Sequence, residues 1–251
     1  MTNSISQESE ERDCDRAARV LIIVPSFNEA PSLPALIGEL NALSPRYDIV
    51  VIDDGSTDGT AKVVRGTAAR LVSLACNLGV GGAVQTGLRV AHDEGYDIAV
   101  QVDGDGQHPP GQVHLLIEAL RRPGCDIAIG SRFVAGRGYQ STLLRRLGIW
   151  LFSTWLSAIC RTRISDVTSG FRAMNRRAIE LLSRNYAEDY PEVEAILVAH
   201  RASLRICEVP VEMSARTEGA SSIRGLRSIG YMIKVSLSIF MHSIRKPESA
   251  R

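Results

Sequence analysis

Short apolar runs of strand length alternate along this chain with segments whose apolar residues recur every three or four positions, and the runs end in polar clusters. Residues 20–24 form the first run, which stops at Pro25. A helix is predicted from about residue 32 to 43, with Leu33, Leu36, Ile37 and Leu40 along one side. Residues 48–52 and 70–74 predict two further strands, and a helix to about residue 94 leads into the apolar run that begins at Asp97. A helix over about 112–121 then precedes a strand at 126–129. Such repetition predicts an α/β fold with a mainly parallel sheet and helices on both faces. The apolar stretches 147–160 and 229–241 are shorter than the roughly 20 residues a membrane span requires, so they read as buried or interfacial helices.

The chemistry lies where the runs end. The run from Asp97 closes in Asp103-Gly104-Asp105-Gly106-Gln107-His108 and is stopped by Pro109-Pro110. Two carboxylates separated by one glycine can both turn to a hard cation such as Mg2+ or Mn2+, which takes oxygen ligands and shares its shell with phosphate. Gln107 adds a third oxygen and His108 a nitrogen, although a lone Asp-x-Asp is more often a solvated turn. The second strand ends in Asp53-Asp54, followed by Ser56 and Asp58, either of which would cap the next helix. Capping does not account for Asp53 and Asp54, which stand where open α/β sheets bind ligands. Gly79, Gly81 and Gly82 imply close backbone approach at a helix start, to a phosphate or to another element. Arg132 follows the 126–129 strand, and 165–172 forms a polar turn carrying Asp166, Ser169 and Arg172. The acidic run 188–194 opens another helix, where the helix dipole favours negative charge.

Composition narrows the classes. The 251 residues are 45% hydrophobic and 23% charged, enough for one large α/β domain, and a formal net charge of +1 argues against bulk nucleic-acid binding. Cys14, Cys76, Cys125, Cys160 and Cys207 show no metal-binding spacing; they read mostly as reduced thiols of a cytoplasmic protein, with no disulfide expected to play a part. Residues 1–18 lack an apolar segment and read as a disordered tail without a signal peptide.

Taken together, the motifs resemble family 2 glycosyltransferases of the GT-A fold, in the branch of dolichyl-phosphate and polyprenyl-phosphate sugar synthases. The residues that carry the resemblance are, in order, Pro25-Ser26-Phe27-Asn28-Glu29, Asp53-Asp54-Gly55-Ser56, Asn77-Leu78-Gly79, the Asp103 to Pro110 segment, Gly130-Ser131-Arg132, Asp166 with Ser169-Gly170-Phe171-Arg172, and Glu208-Val209-Pro210-Val211 with Arg216. The resemblance spans about residues 20–222, and the joint order of the motifs is specific although no single one is. It implies a GT-A domain at 19–222, with 223–251 as a C-terminal amphipathic helix for a membrane surface or an interface.

The resemblance further implies a nucleotide-sugar donor held by Pro25, Asn28, Glu29, Asp53, Asp54 and Gly79. Asp103, Asp105 and Gln107 would hold Mg2+ or Mn2+ against the diphosphate, with Asp105 and Gln107 the nearer contacts and Asp103 also facing sugar or ribose, which leaves His108 as a loop residue. Asp103, Asp105, Arg132 and Glu192 form the expected catalytic set. For a lipid-phosphate acceptor, Arg132, Arg145, Arg146, Ser169, Arg172 and Arg216 are the positioning groups, because guanidinium suits phosphate. For a hydroxyl acceptor, as in cell-surface polysaccharide or natural-product assembly, a carboxylate must take the proton; Glu192 is first, with Asp189, Glu194 and Asp166 as alternatives. The chain departs from the branch after Arg216, where 217–222 lack the branch's lysine. A sugar-nucleotide nucleotidyltransferase is the more distant alternative, although its Gly-rich basic loop is missing after the first strand. A peripheral contact on the cytoplasmic membrane face, a second subunit or a membrane-protein partner is expected for the C-terminal segment.

Overall fold

The computed structural model describes residues 18–43, 47–134, 143–186 and 191–213, with the backbone alone at 143–151. In chain order the elements are β1 (Val20–Ser26), α1 (Leu33–Leu43), β2 (Tyr47–Asp53), α2 (Thr60–Arg65), β3 (Arg70–Ser73), α3 (Gly79–Asp93) and β4 (Ile98–Gln101). After a short 3-10 turn at Pro110–Gln112 come α4 (Val113–Leu120), β5 (Ile127–Ser131), α5 (Leu143–Cys160), β6 (Arg172–Asn175), α6 (Arg176–Arg184), α7 (Pro191–Arg201) and β7 (Ile206–Pro210). They build one seven-stranded sheet in the order β3-β2-β1-β4-β6-β5-β7. All pairings are parallel except those of β6, which runs antiparallel to both β4 and β5.

Side chains alternate along a strand, and β1 is covered on both faces. Leu21 and Ile23 therefore join one apolar cluster, with side chains of α3, α5, α6 and α7. Val20, Ile22 and Val24 join the other, with side chains of α1, α2 and α4. Ile22, Ile23 and Val24 are fully buried, each contributing roughly 1.5–3 kcal/mol by removal from water. At Gly87 on α3, a β-carbon would collide with the Ile23 side chain. That glycine serves helix-on-sheet approach rather than phosphate. Gly79, with φ +80°, takes the left-handed conformation glycine permits at the start of α3.

Three expectations are corrected. β1 runs through Pro25 to Ser26, in register with Asp53 of β2. The turn predicted over 165–172 hands its last residue, Arg172, to the unpredicted strand β6, which pairs Arg172 with Gln101. Cys125 and Cys207 are joined in a disulfide between Cα atoms 5.8 Å apart, not left as thiols; the parallel pairing of β5 with β7 places Cys207 opposite Ala128 and brings the two cysteines together. Cys76 is a free exposed thiol and Cys160 a free buried one. Among the described residues, no helix is long and apolar enough to cross a membrane. Residues 1–17 of the tail with Cys14, Asp189, Arg216 and the 223–251 segment lie outside the described residues, as do the side chains of Arg145 and Arg146 on α5.

Candidate active site

The described candidates after β1, β2, β4 and β5 stand at the carboxyl ends of those strands, the edge along which an open α/β sheet forms its binding crevice. After β1 the backbone turns at Asn28, whose φ of +56° is a left-handed geometry that asparagine tolerates. The turn is fixed from both sides: the Asn28 amide donates to Ser56 Oγ at 2.9 Å, and Asn28 Oδ1 accepts from the Thr57 amide at 2.8 Å. The Glu29 amide donates to Thr60 Oγ1 at 3.1 Å. Ser56 thus holds the β1 loop; the N-cap of α2 is Gly59, which has no side chain to cap with, and Asp58 one position earlier accepts from the Thr60 amide at 3.0 Å and its hydroxyl at 2.6 Å.

Asp53 and Asp54 are both buried. Asp53 Oδ1 accepts from the Ser56 amide at 3.1 Å, while Asp54 Oδ1 accepts from the Leu78 amide at 2.7 Å, at the start of α3. Burial pushes the Asp54 carboxyl above its ordinary range, against the pull of the Leu78 and Gly79 amides. The pair therefore braces the β2 and α3 ends from within. Phe27, named in the sequence only as part of a motif and given no role there, stands exposed on the loop after β1.

The Asp103-Gly104-Asp105 turn packs tightly against β1. A β-carbon on Gly104 would lie 2.6 Å from Ser26 Oγ, and the Gly104 amide donates to the Pro25 carbonyl at 3.3 Å. Ser32 Oγ donates to the Gly104 carbonyl at 2.6 Å. Glycine between the two acids is a steric requirement of this approach, and the following Gly106 has φ +74°.

Asp103 is held by two residues of its own strand and turn. Gln101, buried in β4, donates through Nε2 to Asp103 Oδ1 at 3.0 Å. The Asp103 amide donates to His108 Nδ1 at 2.9 Å, leaving Nε2, 3.6 Å from Asp103 Oδ2, as the protonated nitrogen of a neutral ring. His108, expected to be a plain loop residue, is buried and stacked on Phe171, with ring centroids 5.0 Å apart. The Asp103 side chain itself stays 33% exposed. Asp105 accepts from the Gln107 amide at 3.0 Å.

Across the crevice, Arg132 follows β5 and faces Asp166. Its Nε and an Nη lie 2.7 Å from the two Asp166 oxygens, and that Nη also reaches Thr168 Oγ1 at 3.0 Å. Asp166 is 0% exposed and Arg132 9%. This is a buried bidentate ion pair, the geometry a guanidinium fork favours. Ser169 and Arg172 are buried as well. Arg172 donates through Nε to the Ser169 carbonyl at 2.7 Å, so its head group braces the 165–170 turn from beneath rather than facing solvent. The turn also reaches Asp103: a β-carbon on Gly170 would sit 2.9 Å from Asp103 Oδ2 and 2.9 Å from Gln101 Nε2.

Glu192, in the first turn of α7, completes the cluster. Burial raises its carboxyl above the ordinary range, Arg172 opposes that rise and Asp103 adds to it. Tyr186, unforeseen in the sequence, lies in the same field of Arg172, Glu192 and Asp103; burial pushes its phenol upward, so it stays neutral.

The donor chemistry at Asp103 and Asp105 suits a hard divalent ion. Both are oxygen donors on one turn, and the Asp103 side chain is partly exposed. Among the described residues no group of three or more His, Cys, Asp or Glu is placed to hold a metal. The remaining coordination positions would fall to the Gln107 amide, water and a diphosphate.

Comparison with known proteins places this arrangement. The family model described as glycosyl transferase family 2 matches residues 21–182. An undecaprenyl-phosphate mannosyltransferase of Micrococcus luteus is 33% identical over 219 residues, covering 82% of this chain and 88% of its own. A polyprenol monophosphomannose synthase of Mycolicibacterium smegmatis is 30% identical over 228 residues, covering 87% and 86%. In fold, the chain is similar to the crystal structure of glucosyl-3-phosphoglycerate synthase from Mycobacterium tuberculosis in complex with Mn2+, uridine diphosphate and glucosyl-3-phosphoglycerate. The TM-score is 0.71 at 22% identity, over 96% of this chain and 85% of that one. The expected GT-A architecture is therefore the one observed.

Proposed function

The chain belongs to glycosyl transferase family 2, and on that footing we propose that it moves a sugar from a nucleoside-diphosphate sugar to a polyprenyl-phosphate-type acceptor, with inversion at the anomeric carbon. The observation that carries this reading is the meeting of the Asp103-Gly104-Asp105 turn with the Arg132–Asp166 pair through Gly170, which supports a transfer centre between donor and acceptor. The acceptor class is supported by the two relatives just described, each named for a polyprenyl-type carrier.

In this reading the loops after β1 and β2 receive the nucleotide. Pro25, Asn28 and Glu29 line the pocket, Asp53 and Asp54 set its floor, Gly79 opens the α3 amide end, and exposed Phe27 offers a stacking face to the base. Asp105 and Gln107, with Asp103, would hold Mg2+ or Mn2+. Such an ion, when bound, supplies Lewis-acid stabilisation of the departing diphosphate. Asp103 also orients the sugar, since Gln101 and His108 fix it on its inner side.

An acceptor phosphate is ionised at neutral pH and needs no strong base. Its oxygen forms the new bond to the anomeric carbon as the bond to the diphosphate oxygen breaks, and the electron pair leaves with the nucleoside diphosphate. Arg132, turned by Asp166, guides that phosphate with Arg145, Arg146 and Arg216. An amphiphilic acceptor places the chain on a membrane face, with 223–251 as the contact. A second reading, a hydroxyl acceptor, is favoured by Glu192, whose raised carboxyl beside Asp103 is suited to taking a proton.

The test is incubation of the purified chain with Mn2+, a panel of UDP- and GDP-sugars and polyprenyl phosphate. The expected outcome is a lipid-linked sugar by mass analysis with equimolar nucleoside diphosphate, and Asp105→Ala lowers turnover by about 10²–10³-fold. Release of pyrophosphate instead would point to nucleotidyl transfer.

A further inference from the structure

The Glu208-Val209-Pro210 motif has no part in the reaction just described, because it lies on β7, the edge strand beyond β5. Its carboxylate nevertheless reaches back to the start of the 165–170 turn. Glu208 Oε1 accepts from the Ser165 amide at 2.9 Å and the Asp166 amide at 2.8 Å, and Oε2 accepts from the Ser165 hydroxyl at 2.8 Å. The bonds run in one direction beyond it. The Phe133 amide donates to Ser131 Oγ at 3.3 Å, and with the Ser165 hydroxyl committed to Glu208, the Ser131 hydroxyl donates to Ser165 Oγ across 2.9 Å. Ser131 is fully buried, so this chain links the end of β5 to β7 through the turn.

The anchored turn touches both halves of the crevice. At its beginning Asp166 holds Arg132; at its end Gly170 leans on Asp103. We propose that Glu208 is a positioning residue: by gathering the Ser165 and Asp166 amides it fixes the turn, and the turn fixes the Arg132 guanidinium relative to the Asp103 carboxylate. An ionised carboxylate suits the task because it only accepts, and all three groups aimed at it donate. This inference rests on the sugar-transfer reading for its catalytic consequence, although not for the anchoring itself.

The experiment compares Glu208→Ala, Glu208→Gln and Ser165→Ala in the full chain, by steady-state kinetics and by amide hydrogen exchange at 165–170. The alanine variant leaves two amides without their acceptor. It is expected to lose about 100-fold in kcat, as a displacement near 1 Å of reacting groups would cause, while KM for the nucleotide sugar stays within about twofold because the β1 and β2 loops are untouched. Exchange at 165–170 speeds up, and exchange in β1 and β4 does not. Glu208→Gln keeps one oxygen for both amides but turns an NH2 toward the Ser165 hydroxyl, and Ser165→Ala loses the hydroxyl arm; each is expected about tenfold below the parent in kcat, with faster exchange at 165–170. Should Glu208→Ala fail to fold, the Gln and Ser165→Ala variants carry the same exchange and kinetic comparison: slowed turnover with faster exchange at the turn supports the inference, and parental values of both overturn it. Unchanged exchange at 165–170, or an equal change in kcat and donor KM, overturns it as well. If the parent chain transfers no sugar, the functional reading falls, and hydrogen exchange alone then decides whether Glu208 anchors the turn.

Discussion

The two halves of the crevice are held by different physics. Around the ends of β1 and β2, carboxylates satisfy backbone amides at turns and helix starts: Asp53 the Ser56 amide, Asp54 the start of α3, Asp58 the start of α2. Around the ends of β5 and β6 a buried charge answers another charge: Arg132 is paired with Asp166, and Arg172 opposes the rise of the Glu192 carboxyl. A site of the first kind degrades by small steps when one group is removed. One of the second kind fails abruptly, because removing one partner strands the other in low dielectric.

The comparison is tested hardest at Asp166. Asp166→Ala leaves the Arg132 guanidinium buried without its counter-charge and is expected to cost about 3–5 kcal/mol in denaturant unfolding. A loss below about 1 kcal/mol, the scale of an exposed pair, would erase the distinction between the two halves. Gly170→Ala comes next. Its β-carbon displaces the Asp103 carboxylate or the Gln101 amide, so turnover should fall by about 100-fold, with far less change in the unfolding midpoint than Asp166→Ala. Parental turnover would mean that the turn and Asp103 are not coupled.

Around β1 and β2 the effects are smaller. Asp54→Ala removes the acceptor for the Leu78 amide and should cost about 1–2 kcal/mol, as loss of a helix-end acceptor does. The smallest effect is in the pH dependence of stability. At Asp58 burial raises the carboxyl, but hydrogen bonds from Thr60 and Ala30 outweigh it and hold the carboxyl below its ordinary range. Its contribution is therefore present above the unfolded carboxylate pKa and is lost as pH falls through the lower folded value. Asp54, raised by burial, has the opposite sign: the folded state takes up its proton first, which favours folding as pH drops. Asp58→Asn should flatten the acid-side loss of stability, and Asp54→Asn should steepen it. The same sign for both would contradict the assignment.

What could be read from the sequence follows the same division. The strand ends with Asp53, Asp54, Asp103 and Asp105 were legible because each sits at the end of an apolar run and each local rule concerns residues a few positions apart. Gly104 was legible as a flexible link, but not as the place where Ser26 leaves no room for a β-carbon. Strand β6 was not legible. Its four residues, Arg172-Ala173-Met174-Asn175, show no alternation, and they become a strand only because β4 and β5 offer open edges on either side. His108 looked like a loop residue because nothing local announces its stacking on Phe171. The same limit hid the Cys125–Cys207 bond across 82 residues and the Arg132–Asp166 pair, whose partners stand 34 apart. A motif announces which residue types gather at a site. It does not say which of them face one another, and that is why Arg172 and Ser169 read as acceptor contacts although the fold turns them inward.

On the proposed reading, this crevice transfers sugar to an acceptor that is already anionic. The direct measurement offers the chain, with Mn2+ and its preferred nucleotide sugar, either polyprenyl phosphate or the polyprenol of the same chain length, and follows lipid-linked sugar by mass. Sugar on the phosphate alone, in step with nucleoside diphosphate release, is the predicted result; sugar on the polyprenol at a comparable rate, or nucleotide release with no lipid product, would contradict it.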